Sequence, residues 1–129
     1  MLRLRKLEKL TGLGISELFS ADWKNEHGGL REVDVQRVLE LNDGALRAIV
    51  GHSGKQLEIL NLNSDDQLTE QGLAKALNVE TTPILRVVDF SFVRQVNDQV
   101  LQGLMAIPAM EKIGVFGCNR VVSGAGYAL

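Results

Sequence analysis

Apolar residues recur along the chain in sets with one internal spacing: Leu30, Val33 and Val35; Leu57, Leu60 and Leu62; Leu85, Val88 and Phe90; Met110, Ile113 and Val115. Leu2 and Leu4 stand to each other as Val33 does to Val35, which adds a copy at the start. The last two members of each set are two apart, the period at which side chains return to one face of a strand. Each set therefore predicts a short strand with these residues pointing inward. Six positions past each set comes a further apolar residue: Leu10, Leu41, Leu68, Val96 and Val121.

Thr11, Asn42, Thr69 and Asn97 follow at once, and each can accept a free backbone N–H at the start of a helix. The last copy departs, with Val122 in that place and Ser123 one residue late. Behind the caps run Ile15, Leu18 and Phe19; Leu46, Ile49 and Val50; Leu73 and Leu77; Leu101, Leu104 and Met105. Spacings of three and four put these on one face of a short helix. From Leu4 to Val35, Leu62, Phe90 and Val115 the steps are 31, 27, 28 and 25 residues. The polar stretch Ser20 to Gly29, which ends in Gly-Gly, predicts the loop that lengthens the first step.

Strand, turn and helix repeated at this period make a unit that cannot cover its own apolar flank and must stack on a neighbour. The expected fold is α/β, an open solenoid of about five coils near residues 1–29, 30–56, 57–84, 85–109 and 110–129. A parallel sheet lines its concave side and short helices its convex side. Both ends of the chain break into the pattern, so a segment of a longer solenoid is expected.

Composition narrows the function. At 129 residues and 45% hydrophobic, the chain has enough apolar side chains for one continuous core, and leucine dominates it. A formal charge of -2 argues against a dedicated DNA-coating or membrane-surface protein. One cysteine, Cys118, excludes an internal disulfide and points to a reducing compartment. No stretch approaches the roughly 20 apolar residues of a membrane helix, and Met1 to Lys9 alternates leucine with charge where a signal peptide is apolar. An intracellular protein, nuclear or cytoplasmic, is expected.

The segment Met110 to Val121 reproduces L-x-x-L-x-L-x-x-N/C-x-L with apolar residues and Cys118 at the N/C place, and so resembles the leucine-rich repeat. Leu-Thr-Glu-Gln-Gly-Leu at 68–73 and Val-Asn-Asp-Gln-Val-Leu at 96–101 resemble its cysteine-containing subfamily, and the resemblance covers nearly the whole chain. That subfamily is typical of F-box leucine-rich-repeat receptors of cullin ubiquitin ligases and of the fungal leucine-rich-repeat subunit of global-genome nucleotide excision repair. The stretches 88–93 and 115–121 are similar to the repair subunit. No F-box is visible, so a link to a ligase rests on family analogy. The N/C place holds Val38, Asp65 and Val93 in three copies, where no asparagine or cysteine ladder is expected to bridge the turns.

Candidate chemistry is sparse. His27 and His52 fall in or near loops with no ligand at metal spacing, and His52 is expected to be solvated. Gly51 to Lys55 lacks the first glycine of a phosphate loop, Ile49 standing there, and Gln56 replaces its Ser or Thr. Gly12-Leu-Gly14 lacks the third glycine of a dinucleotide fingerprint. Cys118 is expected inward, and Asp65 and Asp66 are expected to bind backbone donors at a bend. No metal, no cofactor and no catalytic constellation are expected, so the chain does not read as an enzyme.

Recognition is expected on the concave strands. One column runs Arg3, Asp34, Asn61, Asp89, Gly114; the next Arg5, Gln36, Asn63, Ser91, Phe116; the one before Glu32, Ile59, Val87, Lys112. The candidate partner-binding residues are Asp34, Gln36, Ile59, Asn61, Asn63, Val87, Asp89, Ser91 and Phe116. Phe116, Ile59 and Val87 would anchor a protein while Asp34 and Asp89 select a basic group. The basic cluster Arg3, Arg5, Lys6 and Lys9 is confined to the first coil, so no direct nucleic-acid contact, membrane or small-molecule substrate is expected. The expected function is a non-catalytic protein-interaction scaffold, a recognition subunit of a ubiquitin-ligase or nucleotide-excision-repair assembly. The alternative is a structural spacer without a substrate of its own.

Overall fold

A computed structural model describes residues 3–4, 14, 29–38 and 40–118. Along the chain these form strand β1 (Arg3–Leu4), strand β2 (Glu32–Asp34), helix α1 (Asp43–Ser53), strand β3 (Ile59–Asn61), helix α2 (Glu70–Ala76), strand β4 (Val87–Asp89), helix α3 (Asp98–Met105) and strand β5 (Lys112–Gly114). The strands make one five-stranded sheet in the order of the chain, every neighbouring pair parallel. Val33, Leu60, Val88 and Ile113 stand side by side, as do Asp34, Asn61, Asp89 and Gly114. That is the predicted register.

The first strand departs from it. Leu4 pairs with Val33 and Arg3 with Glu32, two places from the expected partners Val35 and Asp34. A slip of two keeps the same side chains on the same face, so alternation along the strand cannot distinguish the two registers. The cap at Thr11, the helix residues Ile15, Leu18 and Phe19, the loop up to residue 28, and everything from Asn119 onward lie outside the described residues.

Ribs of inward side chains build the core. Val33, Leu60 and Val88 have no exposed surface, nor do Val35, Leu62 and Phe90, and Leu41, Leu68 and Val96 close the turns beyond them. Leu46 and Ile49, Leu73 and Leu77, and Leu101 and Leu104 join the same cluster from the helices, which therefore pack on the inward face of the sheet. Met105, expected inward, is 55% exposed, and Val100 is buried instead. One residue past Leu104 is a rotation of about 100°, which carries Met105 off the core-facing stripe.

The predicted caps form and also join one unit to the next. Asn42, Thr69 and Asn97 accept the backbone N–H of Ala45, Gly72 and Val100. The first helical residue of one unit then holds the cap of the following unit. Asp43 accepts from the N–H of Thr69 at 2.9 Å and from its hydroxyl, and Glu70 accepts from the side-chain amide of Asn97. At the opposite end of the strands Arg31, Glu58, Arg86 and Glu111 form a column of alternating charge with ion pairs between successive members. The Arg31 and Arg86 guanidiniums hold the Glu58 carboxyl below its usual pKa.

Among the described residues no helix is long and apolar enough to cross a membrane. The register makes a one-residue prediction. Leu60→Ala removes a fully buried side chain and is expected to cost about 2–5 kcal/mol. Ile59→Ala, on the other face, is expected to cost about 1 kcal/mol or less. Chemical denaturation of the two variants checks this, and similar losses would contradict the assignment of faces.

Candidate interaction face

The outer face of the sheet is built from the residues that alternate with the core ribs. Glu32, Ile59, Val87 and Lys112 form its first row, in which Ile59 and Val87 are half-buried and Lys112 exposed. Asp34, Asn61, Asp89 and Gly114 form the second, and Gln36, Asn63, Ser91 and Phe116 follow two residues on. Arg3 stands in the first row rather than the second, and Arg5 lies outside the described residues.

The second row ends the strands. Asp34 Oδ1 accepts the N–H of Gln36 at 3.2 Å, Asn61 Oδ1 that of Asn63 at 3.0 Å, and Asp89 Oδ1 that of Ser91 at 2.8 Å. A short polar side chain satisfying the N–H two residues on is the local bond that turns a chain out of an extended strand. The second oxygens are engaged more weakly: Gln36 Nε2 lies 3.4 Å from Asp34 Oδ2, and Asn63 Nδ2 lies 3.4 Å from Asp89 Oδ2. Asp34 and Asp89 are two strands apart, about 10 Å.

Ser91 does not offer the surface expected of it. Only 8% of it is exposed, and its N–H is spent on Asp89. Phe116, by contrast, is 75% exposed. Sequence reasoning missed Phe92, which is 48% exposed and packs edge to face on Phe116 with centroids 5.5 Å apart. Its signal was an aligned column: Arg37, Ser64, Phe92 and Gly117 all take a left-handed backbone, with φ of 60°, 65°, 65° and 78°. A bulky side chain is the outlier in such a column.

Beneath the turns lie two polar groups. Asp65 has no exposed surface; its Oδ1 accepts the Val38 N–H of the preceding unit at 3.0 Å, and its Oδ2 is buried without a partner. The absence of a bridge expected at Asp65 is thus corrected: the carboxyl takes the asparagine's place as an acceptor. Burial pushes its pKa up to about 8, against the pull of the Val38 hydrogen bond, and the nearby Asp34 charge pushes the same way. Cys118 is buried and its Sγ donates to the carbonyls of Phe90 at 3.2 Å and Val93 at 3.5 Å. Burial also raises its pKa, the reverse of what a nucleophile needs. Val38 and Val93 are fully buried, and their turns are tied by the bonds to Asp65 and Cys118. Asp66 binds the Arg94 N–H and guanidinium of the following unit, as expected of a carboxylate at a bend.

His52 is corrected from a solvated loop residue to a buried one, 8% exposed in the last turn of α1. Its Nδ1 lies 2.7 Å from the Ser53 hydroxyl, which accepts the Leu30 N–H at 2.9 Å. A side chain at Gly54 would meet the carbonyls of Thr81 and Val50 at 2.5 Å, and Lys55 donates to the Glu80 carbonyl. Gly54 is therefore required by close backbone packing, whereas Gly51 is open. His27 lies outside the described residues. Among the described residues no group of three or more His, Cys, Asp or Glu is placed to hold a metal ion.

The parallel sheet built from repeated strand, turn and helix makes an α/β fold that resembles the leucine-rich-repeat class. No protein-family model matches the chain. It is homologous to the DNA repair protein rhp7 of Schizosaccharomyces pombe, 34% identical over 122 residues, and to the DNA repair protein RAD7 of Saccharomyces cerevisiae, 33% identical over 127 residues. These alignments take in 94% and 97% of the chain but 21% of each relative, so it spans about a fifth of their length. It also matches a solved chain from the yeast Rad7 and Elc1 complex with a TM-score of 0.79 and 33% identity, over 95% of this chain and 29% of that one.

Asp65 gives a pH prediction. A carboxyl whose pKa rises from 3.8 to about 8 on folding binds a proton more tightly in the native state. Its contribution is full below about pH 3.8 and is lost as the pH rises toward 8. Asp65→Asn keeps an acceptor for Val38 and removes the ionisable group. We expect it to stabilise the fold at pH 8 by about 1–3 kcal/mol and to flatten stability between pH 5 and 8, measured by urea unfolding across that range.

Proposed function

We propose that this chain is a solenoid of about five leucine-rich coils, near residues 1–29, 30–56, 57–84, 85–109 and 110–129, whose outer sheet face is the concave binding surface of a repair-assembly scaffold. Asp34, Gln36, Ile59, Asn61, Asn63, Val87, Asp89, Ser91 and Phe116 mark that surface, Ser91 by its place in the row rather than by exposure. The observation that carries the reading is a row of strand-end carboxylates beside half-buried Ile59 and Val87 and a strongly exposed Phe116, in a segment homologous to Rad7 and rhp7. Rad7 is solved with a protein partner, Elc1, which supports a protein-binding role in a ubiquitin-ligase or excision-repair assembly. The proposed role is non-enzymatic and the proposed location nuclear, a reading that the repair homology supports. The polar groups that satisfy one another along the second row favour the alternative of a spacer, and one experiment separates the two.

A photo-crosslinking residue at Asn61 on the sheet face is expected to capture a repair or ligase subunit that the same probe at Gln71, exposed on α2, does not. Asn61 also shows that an asparagine makes the strand-end bond, so Asp34→Asn with Asp89→Asn removes both charges and keeps the turns. This double variant is expected to weaken binding of the captured subunit about tenfold and reduce its salt dependence, with little change in melting temperature. Unchanged affinity, or equal capture from both probe sites, would favour the spacer.

A further inference from the structure

We infer that the corner formed by Asp89, Gly114, Phe92 and Phe116 is a subsite for an arginine side chain of a partner protein, an inference that rests on reading the sheet face as a binding surface. Among the described residues Glu58, Asp66 and Glu111 are each paired with an arginine, whereas no cation pairs with Asp89. Its carboxylate is nevertheless fixed, by the Ser91 N–H at 2.8 Å and by Asn63 Nδ2 at 3.4 Å. A carboxylate offers about four acceptor positions, so both oxygens keep capacity for a further donor.

The space beside it is open because residue 114 is glycine. A side chain there would sit 2.8 Å from Asp89 Oδ1 and fill the notch in front of the carboxylate. Phe116 follows Gly114 by two residues, in the turn just past β5, where its carbonyl accepts the Phe92 N–H at 2.8 Å. It is supported from the side by Phe92, with the rings at 76°. The Phe92 ring lies over Gly117, where a side chain would collide with it at 2.7 Å. Phe92 holds a left-handed backbone unfavourable for an aromatic residue, and strain spent on displaying a half-exposed ring points to use of that ring.

A carboxylate without a cation partner, bordering the unit that displays an exposed aromatic pair, suits a planar cation. Guanidinium can bind the carboxylate through two N–H groups and lie flat on a ring, which the compact ammonium of lysine does less well. Asp34 lacks such a neighbour, since Asn63 of the following unit stands to Asp34 as Phe116 stands to Asp89. Stacked aromatics can also hold bases, but carboxylates at Asp34 and Asp89 repel phosphate, which favours a peptide.

The test is an NMR titration of the whole isotopically labelled chain with the capped peptides Gly-Arg-Gly and Gly-Lys-Gly. The arginine peptide is expected to bind about three- to tenfold more tightly and to shift the amides of Ser91, Gly114, Phe116 and Gly117. Asp89→Asn is expected to abolish binding, and Phe116→Ala to bring the two peptides level. Phe92→Asn, which a left-handed backbone accepts, is expected to narrow the preference if Phe116→Ala disturbs the last turn. Equal affinities, shifts confined to other residues, or competition by a short oligothymidylate would overturn the subsite. If the Asn61 probe still captures a partner that depends on Asp34 and Asp89, such a result rejects the arginine subsite and leaves the wider binding surface standing.

Discussion

Stacking of one strand, turn and helix on the next is the constraint from which the rest follows. A three-residue strand and a helix of seven to eleven residues cannot enclose an apolar side of their own. Each fully buried leucine is worth about 1.5–3 kcal/mol only when a neighbouring unit excludes water from it. Repetition of the same inward residues makes that neighbour available at every step. It also dictates a parallel sheet in chain order, since from β2 to β5 the chain returns through a helix before each next strand begins. The outer face is then necessarily a grid, with each row contributed by the same place in successive units.

Stacked units leave polar groups at the turns, and these are satisfied mostly between units. Asp43 and Glu70 hold the helix caps of their successors, and the Arg31 to Glu111 column runs across four units. Cys118 and Asp65 reach backward under the turns. Exposed ion pairs are each worth little, but a charge column is favourable only in one register, so it penalises slipped pairing more than it stabilises the correct one. Asp65 is the one described rung that conflicts with its surroundings, a carboxyl in a place that suits an amide, and neutralisation by a proton resolves the conflict.

The grid was readable because period-two and helical spacings recur together, and four of the five strands pair as the alignment predicts. The first strand was ambiguous for a physical reason: a slip of two leaves the alternation unchanged, so only the pairing itself fixes the register. Met105 was misplaced because spacing from Leu101 alone does not fix the centre of a helical stripe; Val100 does. His52 read as a loop residue, but α1 runs on to Ser53 and takes it into its last turn. The outer rows were predictable in position but not in duty, since nothing in the alternation reveals that Asp34, Asn61 and Asp89 also bind backbone two residues on.

That double duty separates what the fold needs at these places from what they present to solvent. The strand-end bond needs only one side-chain oxygen, so aspartate and asparagine serve the fold equally, and Asn61 between Asp34 and Asp89 shows both in use. The charge at each place is therefore free to vary without disturbing the turn. Glycine at 114 gives up the bond altogether, in the unit that also places Phe116 most openly in solvent. A surface whose stability depends on one atom of each side chain, and whose chemistry depends on the other, can change its partner by small substitutions while the stack beneath it stays the same.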